Sequence, residues 1–186
     1  MPCESANKKT RRTIMQLLDV IKTRRSCRKY KREQIKDEEL AAVLEAGTYA
    51  PTSMGMQSPY IVAVQEATLL RRLAKMNADI MGVTSNPYYD APTYVLVLAP
   101  EAAHNPVQDG SLVLGNMMLA AHAIGLGSCW IHREKEMFAT PEGQELLRSW
   151  GLPEGLMGIG ALALGYPEPE NKPLKPRKEG YTRIVR

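Results

Sequence analysis

A cluster of basic residues near the start of the chain is the first feature that could do chemistry. The stretch from Ile21 to Arg32 contains seven cations and no acid: Lys22, Arg24, Arg25, Arg28, Lys29, Lys31 and Arg32. Taking these seven from the net charge of +4 leaves −3 for the rest of the chain. Arginine suits bidentate contact with phosphate oxygens, and the Ser26 hydroxyl adds a neutral donor. The cluster therefore fits a solvated helix end, a nucleic-acid patch or a pocket for one small phosphate.

A nucleic-acid patch is the weakest of these interpretations. No helix-turn-helix, zinc-finger or aromatic RNA-binding signature accompanies the cluster, and the chain has one Phe and two Trp.

A phosphate pocket needs further elements to complete it, and two stretches of the sequence could supply them. The first is APTSMGMQSP, from Ala50 to Pro59, a donor-rich loop braced by prolines that fits a capped turn or a grip on a polar heterocycle. The second is GLGSCWI, from Gly125 to Ile131, where glycines allow close backbone approach to a flat ring or simply end a helix.

Familiar catalytic sets are not found in the sequence. The three histidines show no metal-ligand spacing, and His122 lies in an apolar stretch where we expect a satisfied core histidine. No GxSxG or P-loop motif occurs, and no GxGxxG follows a predicted strand. The three cysteines are odd in number and form no CxxC pair, which favours a reducing cytoplasm over a disulfide framework. We therefore expect no metal site and no catalytic side-chain pair.

The elements that must position these residues alternate between helices and strands. Helical spacing predicts helices from a capping box at Thr13 up to the basic cluster, over about 37–46, over 66–76, over 109–124 and after the Thr140–Pro141 pair. Strands are predicted over 60–64, 93–99, 128–131 and 156–165. The strand over 93–99 is apolar on both faces, which indicates a central strand. The helix over 109–124 is apolar nearly all round, which predicts burial on most sides.

The length and composition fit one soluble domain. A chain of 186 residues can bury its own core. It has no apolar run long enough to span a membrane, and its polar, basic first residues do not predict a secretory signal. The alternation of elements and the apolar helix together predict an α+β sheet domain that buries more surface by dimerising.

Five short motifs occur in a fixed order along the chain: TRRSCRKY, APTSMGMQSP, NMMLAAHAIGLGSCWI, GALALGYP and KPRK. In this order the chain resembles the FMN-dependent nitroreductase family over about residues 14–178. The resemblance implies an α+β fold with a central mixed β-sheet between helices. It also implies an obligate homodimer with FMN at the interface, built from a mobile arm over 1–12, a flavin-binding domain over 13–166 and an extended C-terminal arm over 167–186 that contacts the partner.

The resemblance also assigns site residues, in three groups. The phosphate and ribityl end of FMN would meet Arg24, Arg25, Ser26 and Arg28, with Lys175 and Arg177 returning from the C-terminal arm. The loop that reaches over the partner subunit's flavin would comprise Pro51, Thr52, Ser53 and Gln57. The backbone beside the isoalloxazine ring would be that of Ser128, Cys129, Trp130 and Ile131.

Three features depart from the family pattern. Gly55 stands where the family usually has Asn, which removes a side-chain contact near the ring. His132 and Arg133 follow Ile131, where the larger members carry a Glu-Gly pair. The long helical excursion that covers the substrate in larger members is short here, so only residues 77–90 could serve as a lid.

The function implied by the resemblance is a ping-pong, two-electron reduction of nitroaromatics or quinones, driven by NADH or NADPH. The flavin would carry the chemistry, so no side-chain acid or base is required. Two alternatives stay open: other flavin chemistry on the same fold, such as dehalogenation or dehydrogenation, and a non-enzymatic basic module that binds nucleic acid. The first interpretation predicts small-molecule partners, with neither nucleic acid nor membrane among them.

Overall fold

The computed structural model describes residues 17–169 and 175–186. Within these residues the helices are α1 (Leu17–Thr23), α2 (Asp37–Thr48), α3 (Ala67–Met81), α4 (Pro106–Ala123), α5 (Glu134–Ala139) and α6 (Pro141–Ser149). The strands are β1 (Tyr60–Val64), β2 (Thr93–Pro100), β3 (Gly127–Ile131) and β4 (Leu156–Gly165). The predicted arm over 1–12 and the capping box at Thr13 lie outside the described residues.

The four strands form one sheet in the order β1-β2-β4-β3. All three strand pairings are antiparallel, and a register shift interrupts the β2–β4 ladder between Val97 and Leu98. The parallel component expected of a mixed sheet is limited, within the described residues, to a single bridge between Ser26 and Ser128. The α+β class with a central sheet is confirmed.

Helices cover both faces of the sheet, and alternation along β2 and β4 divides the core between them. Tyr94, Leu96 and Leu98 of β2 pack into one cluster with α3, α5 and α6. The intervening Val95 and Val97 pack into a second cluster with α2 and α4. Seven consecutive residues of β2 are buried, as expected of a strand that is apolar on both faces.

Several predicted boundaries agree with local chemistry. The Thr140 side chain accepts a hydrogen bond from Gly143 N at the start of α6, so the N-cap prediction is confirmed. Glu66 caps α3 by accepting from the amides of Thr68 and Leu69. Helix α3 then runs to Met81, beyond the predicted end near residue 76, and stops at Gly82 in the left-handed region.

Three sequence predictions need correction. Helix α2 passes through Gly47 instead of stopping there. Helix α4 begins at Pro106 and ends at Ala123, and Gly127 opens strand β3 instead of ending the helix. Helix α5 was not predicted, because six residues are too few to show a helical period. It packs closely on β4, where a Cβ at Gly158 would overlap the backbone of Glu134.

The prediction that residues 77–90 could serve as a lid is also wrong, because this segment is not free to move. Its first residues, from Asn77 to Met81, belong to helix α3. Tyr88 is fully buried and stacks on Tyr94 with ring centroids 4.0 Å apart. Asn86 donates hydrogen bonds to Asp90 and to the Tyr94 hydroxyl. These contacts fix the segment to the core, so it cannot open as a lid without breaking the core.

Candidate functional site

A cleft of about 1060 Å³ lies where the ends of α1 and α4, the start of β3 and the C-terminal segment meet. Its walls come from residues 21–28, from His122, from residues 126–128, and from Pro167, Glu168 and residues 175–177. The charged side chains along it are six cations and one carboxylate: Lys22, Arg24, Arg25, Arg28, Lys175, Arg177 and Glu168. This excess of positive charge favours the binding of an anion in the cleft.

Backbone pairing brings these distant segments together. Cys27 N donates to Ser128 O at 2.9 Å, next to the Ser26–Ser128 bridge. Residues 29–31 pair in turn with residues 166–168, because Lys31 N donates to Tyr166 O and Glu168 N donates to Lys29 O. A Cβ at Gly127 would lie 2.7 Å from Cys27 Sγ, so this close approach requires glycine.

Arg24 brings an unmet donor to the cleft. Its Nη1 atom is buried and has no hydrogen-bond partner. Burial, and then the charge of neighbouring Arg25, lowers the pKa of Arg24. Arg25 differs, because its Nη1 donates to the carbonyls of Lys22 and Arg24. A buried N–H donor without an acceptor is costly unless a ligand supplies the acceptor.

Ser128 supplies a second unmet polar group. Its side chain is 2% exposed, and its Oγ has no hydrogen-bond partner. Ser128 lies in β3 and Arg24 directly follows α1, and both residues line the cleft. Such a pair suits a ligand with several oxygen acceptors.

Arg28 is oriented by a tyrosine that sequence analysis did not single out. Its Nε donates to the Tyr89 hydroxyl at 3.3 Å, and its guanidinium carbon lies 5.8 Å from the Tyr89 ring centroid. Tyr89 and Asp90 both have positive φ, at 57° and 53°. This backbone conformation is unfavourable for residues other than glycine and holds the ring beside Arg28.

His122 was predicted to be a satisfied core histidine, and that prediction is wrong. The side chain is only partly buried and lines the cleft near the end of α4. Its Nε2 lies 2.9 Å from Thr23 Oγ1. The signal that could have found it is its position, a few residues before the glycines that open β3.

The predicted site residues divide between the cleft and other places. Those that line the cleft are Arg24, Arg25, Ser26, Arg28, Ser128, Lys175 and Arg177. Those that do not line it are the loop residues Pro51, Thr52, Ser53 and Gln57, and the strand residues Cys129, Trp130 and Ile131.

The loop after α2 is fixed by its own hydrogen bonds. Ser53 donates from both its amide and its hydroxyl to the carboxylate of Asp109, which is buried in α4. The Thr52 hydroxyl accepts from Gln57 N at 2.9 Å. Gly55 has a φ of 67°, and Gln57 has a φ of 50°. The positive φ at Gly55 gives a structural reason for glycine at this position.

The three strand residues beyond Ser128 are packed in the core. Cys129 is buried, and burial raises the pKa of its thiol, so it is not an activated nucleophile. Trp130 packs against Gly160, where a Cβ would lie 2.6 Å from the indole nitrogen. Ile131 is buried as well. These side chains face the core, and β3 is an edge strand of the sheet.

A buried polar network lies beyond the end of β3. Glu134 is 1% exposed, and its Oε1 accepts from the Tyr88 hydroxyl at 2.8 Å, while its Oε2 has no partner. Burial raises the pKa of Glu134 to about 7. Asn77 joins the network by donating to His132 O and accepting from Arg133 Nε. Sequence analysis did not predict this network, because its members lie far apart along the chain.

No group of three or more His, Cys, Asp or Glu within the described residues is placed to hold a metal ion. No helix in the described part of the chain is long and apolar enough to cross a bilayer.

Comparison with known proteins gives consistent matches. A model of the Nitroreductase family matches residues 21–88 and 81–166. A protein of Archaeoglobus fulgidus, whose name provisionally gives it as an NADH dehydrogenase/NAD(P)H nitroreductase, is 33% identical over 161 residues, covering 82% of this chain and 86% of that protein. An NADPH-flavin oxidoreductase of Vibrio harveyi is 28% identical and covers 86% of this chain and 69% of its own length. The crystal structure of a Bacteroides fragilis nitroreductase with bound FMN is 34% identical, with a TM-score of 0.81 over 92% of this chain and 100% of that one.

Proposed function

The chain belongs to the nitroreductase family, and from this premise we propose that it is an FMN-dependent oxidoreductase in which NADH or NADPH is the electron donor and a nitroaromatic or quinone is the acceptor. The observation that carries the proposal is the cationic cleft with two buried polar groups that lack partners, Arg24 Nη1 and Ser128 Oγ. A flavin phosphate has the charge and the acceptor oxygens that both groups require.

The residues of the cleft fit this cofactor in type and placement. Arg24, Arg25 and Arg28 would hold the phosphate from one side, with Ser26 and Ser128 donating neutral hydrogen bonds. Lys175 and Arg177 would close the cleft from the C-terminal segment, since both line it. When bound, FMN would supply the two-electron redox chemistry between nicotinamide and acceptor.

The chain's own contribution is binding, orientation and charge. The cations neutralise the phosphate, and Tyr89 fixes the direction of the Arg28 guanidinium. Strand β3 carries the backbone from Ser128 to Ile131 away from the cleft along the sheet edge, where it would pass the isoalloxazine ring. No side chain of this set is required to gain or lose a proton, so the site suits substrates that accept electrons directly.

We place the second half of each site in a partner subunit. The loop from Pro51 to Gln57 does not line the cleft of its own chain, which suits a loop that covers the flavin of another copy. Large apolar side chains are exposed on two helices: Leu17, Leu18 and Ile21 on α1, and Val107 and Leu112 on α4. An obligate homodimer would cover such surfaces. In this proposal residues 13–166 form the flavin-binding domain and residues 167–186 form an arm that contacts the partner.

The test begins with the absorbance spectrum of the purified protein and the identity of any released chromophore. NADH or NADPH should bleach the flavin without oxygen, and steady-state plots at several acceptor concentrations should be parallel. A flavin that neither nicotinamide reduces would favour other flavin chemistry on the same fold. A colourless protein with no affinity for FMN would overturn the proposal.

Variants of the cleft test the phosphate assignment directly. Arg24→Ala and Arg28→Ala each remove a charge-assisted contact of roughly 1.5–3 kcal/mol, so FMN should bind about 10- to 100-fold more weakly. Lys31→Ala is the matched control, because Lys31 is a neighbouring cation that does not line the cleft. Fluorescence titration measures all three, and unchanged affinity in both arginine variants would refute the assignment.

A further inference from the structure

His122 is the one titratable imidazole that lines the cationic cleft of the described chain. It approaches the cleft near the end of α4, where its Nε2 lies 2.9 Å from Thr23 Oγ1. The Thr23 hydroxyl donates its single proton to Asp19 O at 2.5 Å. Because that proton is used, the hydroxyl accepts from His122, and Nε2 carries a hydrogen. The remaining ring nitrogen, Nδ1, is therefore the atom that gains or loses a proton.

The charged groups that line the cleft together with His122 are mostly cationic. Residues 22–28 contribute Lys22, Arg24, Arg25 and Arg28, and the C-terminal segment contributes Lys175, Arg177 and the single carboxylate Glu168. Helix α4 adds no charged residue after Asp109. Burial lowers the pKa of His122 first, and the charges of Arg24 and Arg25 lower it further. The imidazole is thus neutral near pH 7 while these cations stand without an anion.

We propose that His122 belongs to the phosphate subsite and gains a proton at Nδ1 when the phosphate of FMN binds, which makes the subsite selective for a doubly charged phosphate. This inference rests on the proposed function. A phosphate dianion brings negative charge into a cleft whose existing charges repel a proton on His122. Its arrival reduces the net positive charge of the cleft and supplies an anionic partner, so the protonated imidazole becomes a seventh cation of the cleft.

The sign of the pH dependence follows from linkage. A histidine whose pKa is higher in the complex than in the free protein takes up a proton on binding, so this contribution to affinity weakens as pH rises between the two values. Affinity then changes by up to about tenfold per pH unit in that window. Ionisation of the phosphate itself, near pH 6, acts in the opposite direction, so the effect must be measured against a variant without the imidazole.

The first experiment is a proton NMR titration of the full-length protein without ligand, with FMN and with riboflavin, which lacks the phosphate. The chain has three histidines, His104, His122 and His132, so the signals can be assigned with single His→Gln variants. The pKa of His122 should rise with FMN and stay near its free value with riboflavin. A His122 pKa that is unchanged or lower with FMN would overturn the inference, and this result does not depend on the folding of a His122 variant.

The second experiment compares FMN affinity from pH 6 to 8.5 in the wild type, in His122→Gln and in His104→Gln. The ratio of dissociation constants, His122→Gln over wild type, should fall several-fold as pH rises through the window. His104 is exposed and outside the cleft, so His104→Gln should follow the wild type. A constant ratio for His122→Gln would overturn the inference. Failure of the proposed function would give a different result, because the wild-type protein would then show no FMN binding at any pH.

Discussion

The wild-type protein should lose stability as pH rises, because Glu134 becomes charged while buried. Replacing Glu134 with Gln should remove most of that loss. Glu134 is buried with one oxygen bonded to Tyr88 and the other without a partner. Burial is the main cause of its raised pKa, and the Tyr88 hydrogen bond and Arg133 only partly oppose it. Gln keeps an oxygen acceptor for Tyr88 and has no charge to bury. The Glu134→Gln protein should therefore be the more stable of the two at pH 8.

The sign and size follow from the shift itself. The pKa of Glu134 rises from an ordinary 4.5 in the unfolded chain to about 7 in the folded protein. Between these values the folded state holds more protons, so this group's contribution to stability is full below pH 4.5 and is lost as pH rises to 7. One pH unit corresponds to about 1.4 kcal/mol, so the full loss is about 3 kcal/mol.

Urea unfolding at fixed protein concentration, at intervals from pH 5 to 8, measures this effect. The free energy of unfolding of Glu134→Gln minus that of the wild type should increase by about 2–3 kcal/mol across the range. Glu136→Gln is the matched control, because Glu136 is exposed two residues away and its variant should follow the wild type. A difference between Glu134→Gln and wild type that is the same at every pH would refute the reasoning.

Two more changes test other parts of the site. Asp109→Ala leaves the amide and hydroxyl of Ser53 without their acceptor. Thermal or urea unfolding should therefore show a loss of stability of roughly 1.5–3 kcal/mol. Asp79→Ala, at an exposed position of α3, is the control and should cost under about 1 kcal/mol. Tyr89→Phe removes the hydroxyl that orients Arg28 but keeps the ring, so FMN should bind about 2- to 10-fold more weakly by fluorescence titration, and full affinity would show that the hydroxyl has no orienting role.

The fold was largely predictable because its main elements carry strong local signals. Strand β2 is a continuous apolar run, strand β4 is apolar along its whole length, and the Thr140–Pro141 pair marks a helix start with side-chain chemistry that the structure confirms. Helix α5 was missed because its burial depends on contact with Gly158, a long-range fact that no short window contains. The order of the strands in the sheet is likewise a tertiary property.

The site was predictable only in part, for a similar reason. The cations around Ser26 are evident from their density in the sequence, and the structure places four of them at the cleft. The roles of His122 and Tyr89 depend on which residues stand opposite them, and neighbours in sequence do not reveal this. The lid prediction failed because Tyr88 and Asn86 bind the segment into the core, and their polarity in sequence suggests a loop.

The pairing of residues 26–31 with Ser128 and residues 166–168 has a consequence for the order of assembly. Joining segments so far apart in sequence lowers the chain entropy before the new contacts have formed to offset that loss. Such contacts therefore form late in folding. During translation the basic segment leaves the ribosome long before Pro167, Glu168 and residues 175–177, which line the cleft from the C-terminal side. FMN can then bind fully only after the C-terminal segment has packed against the rest of the cleft. In refolding experiments, quenching of flavin fluorescence should lag behind the recovery of helix signal, and simultaneous recovery would contradict this order.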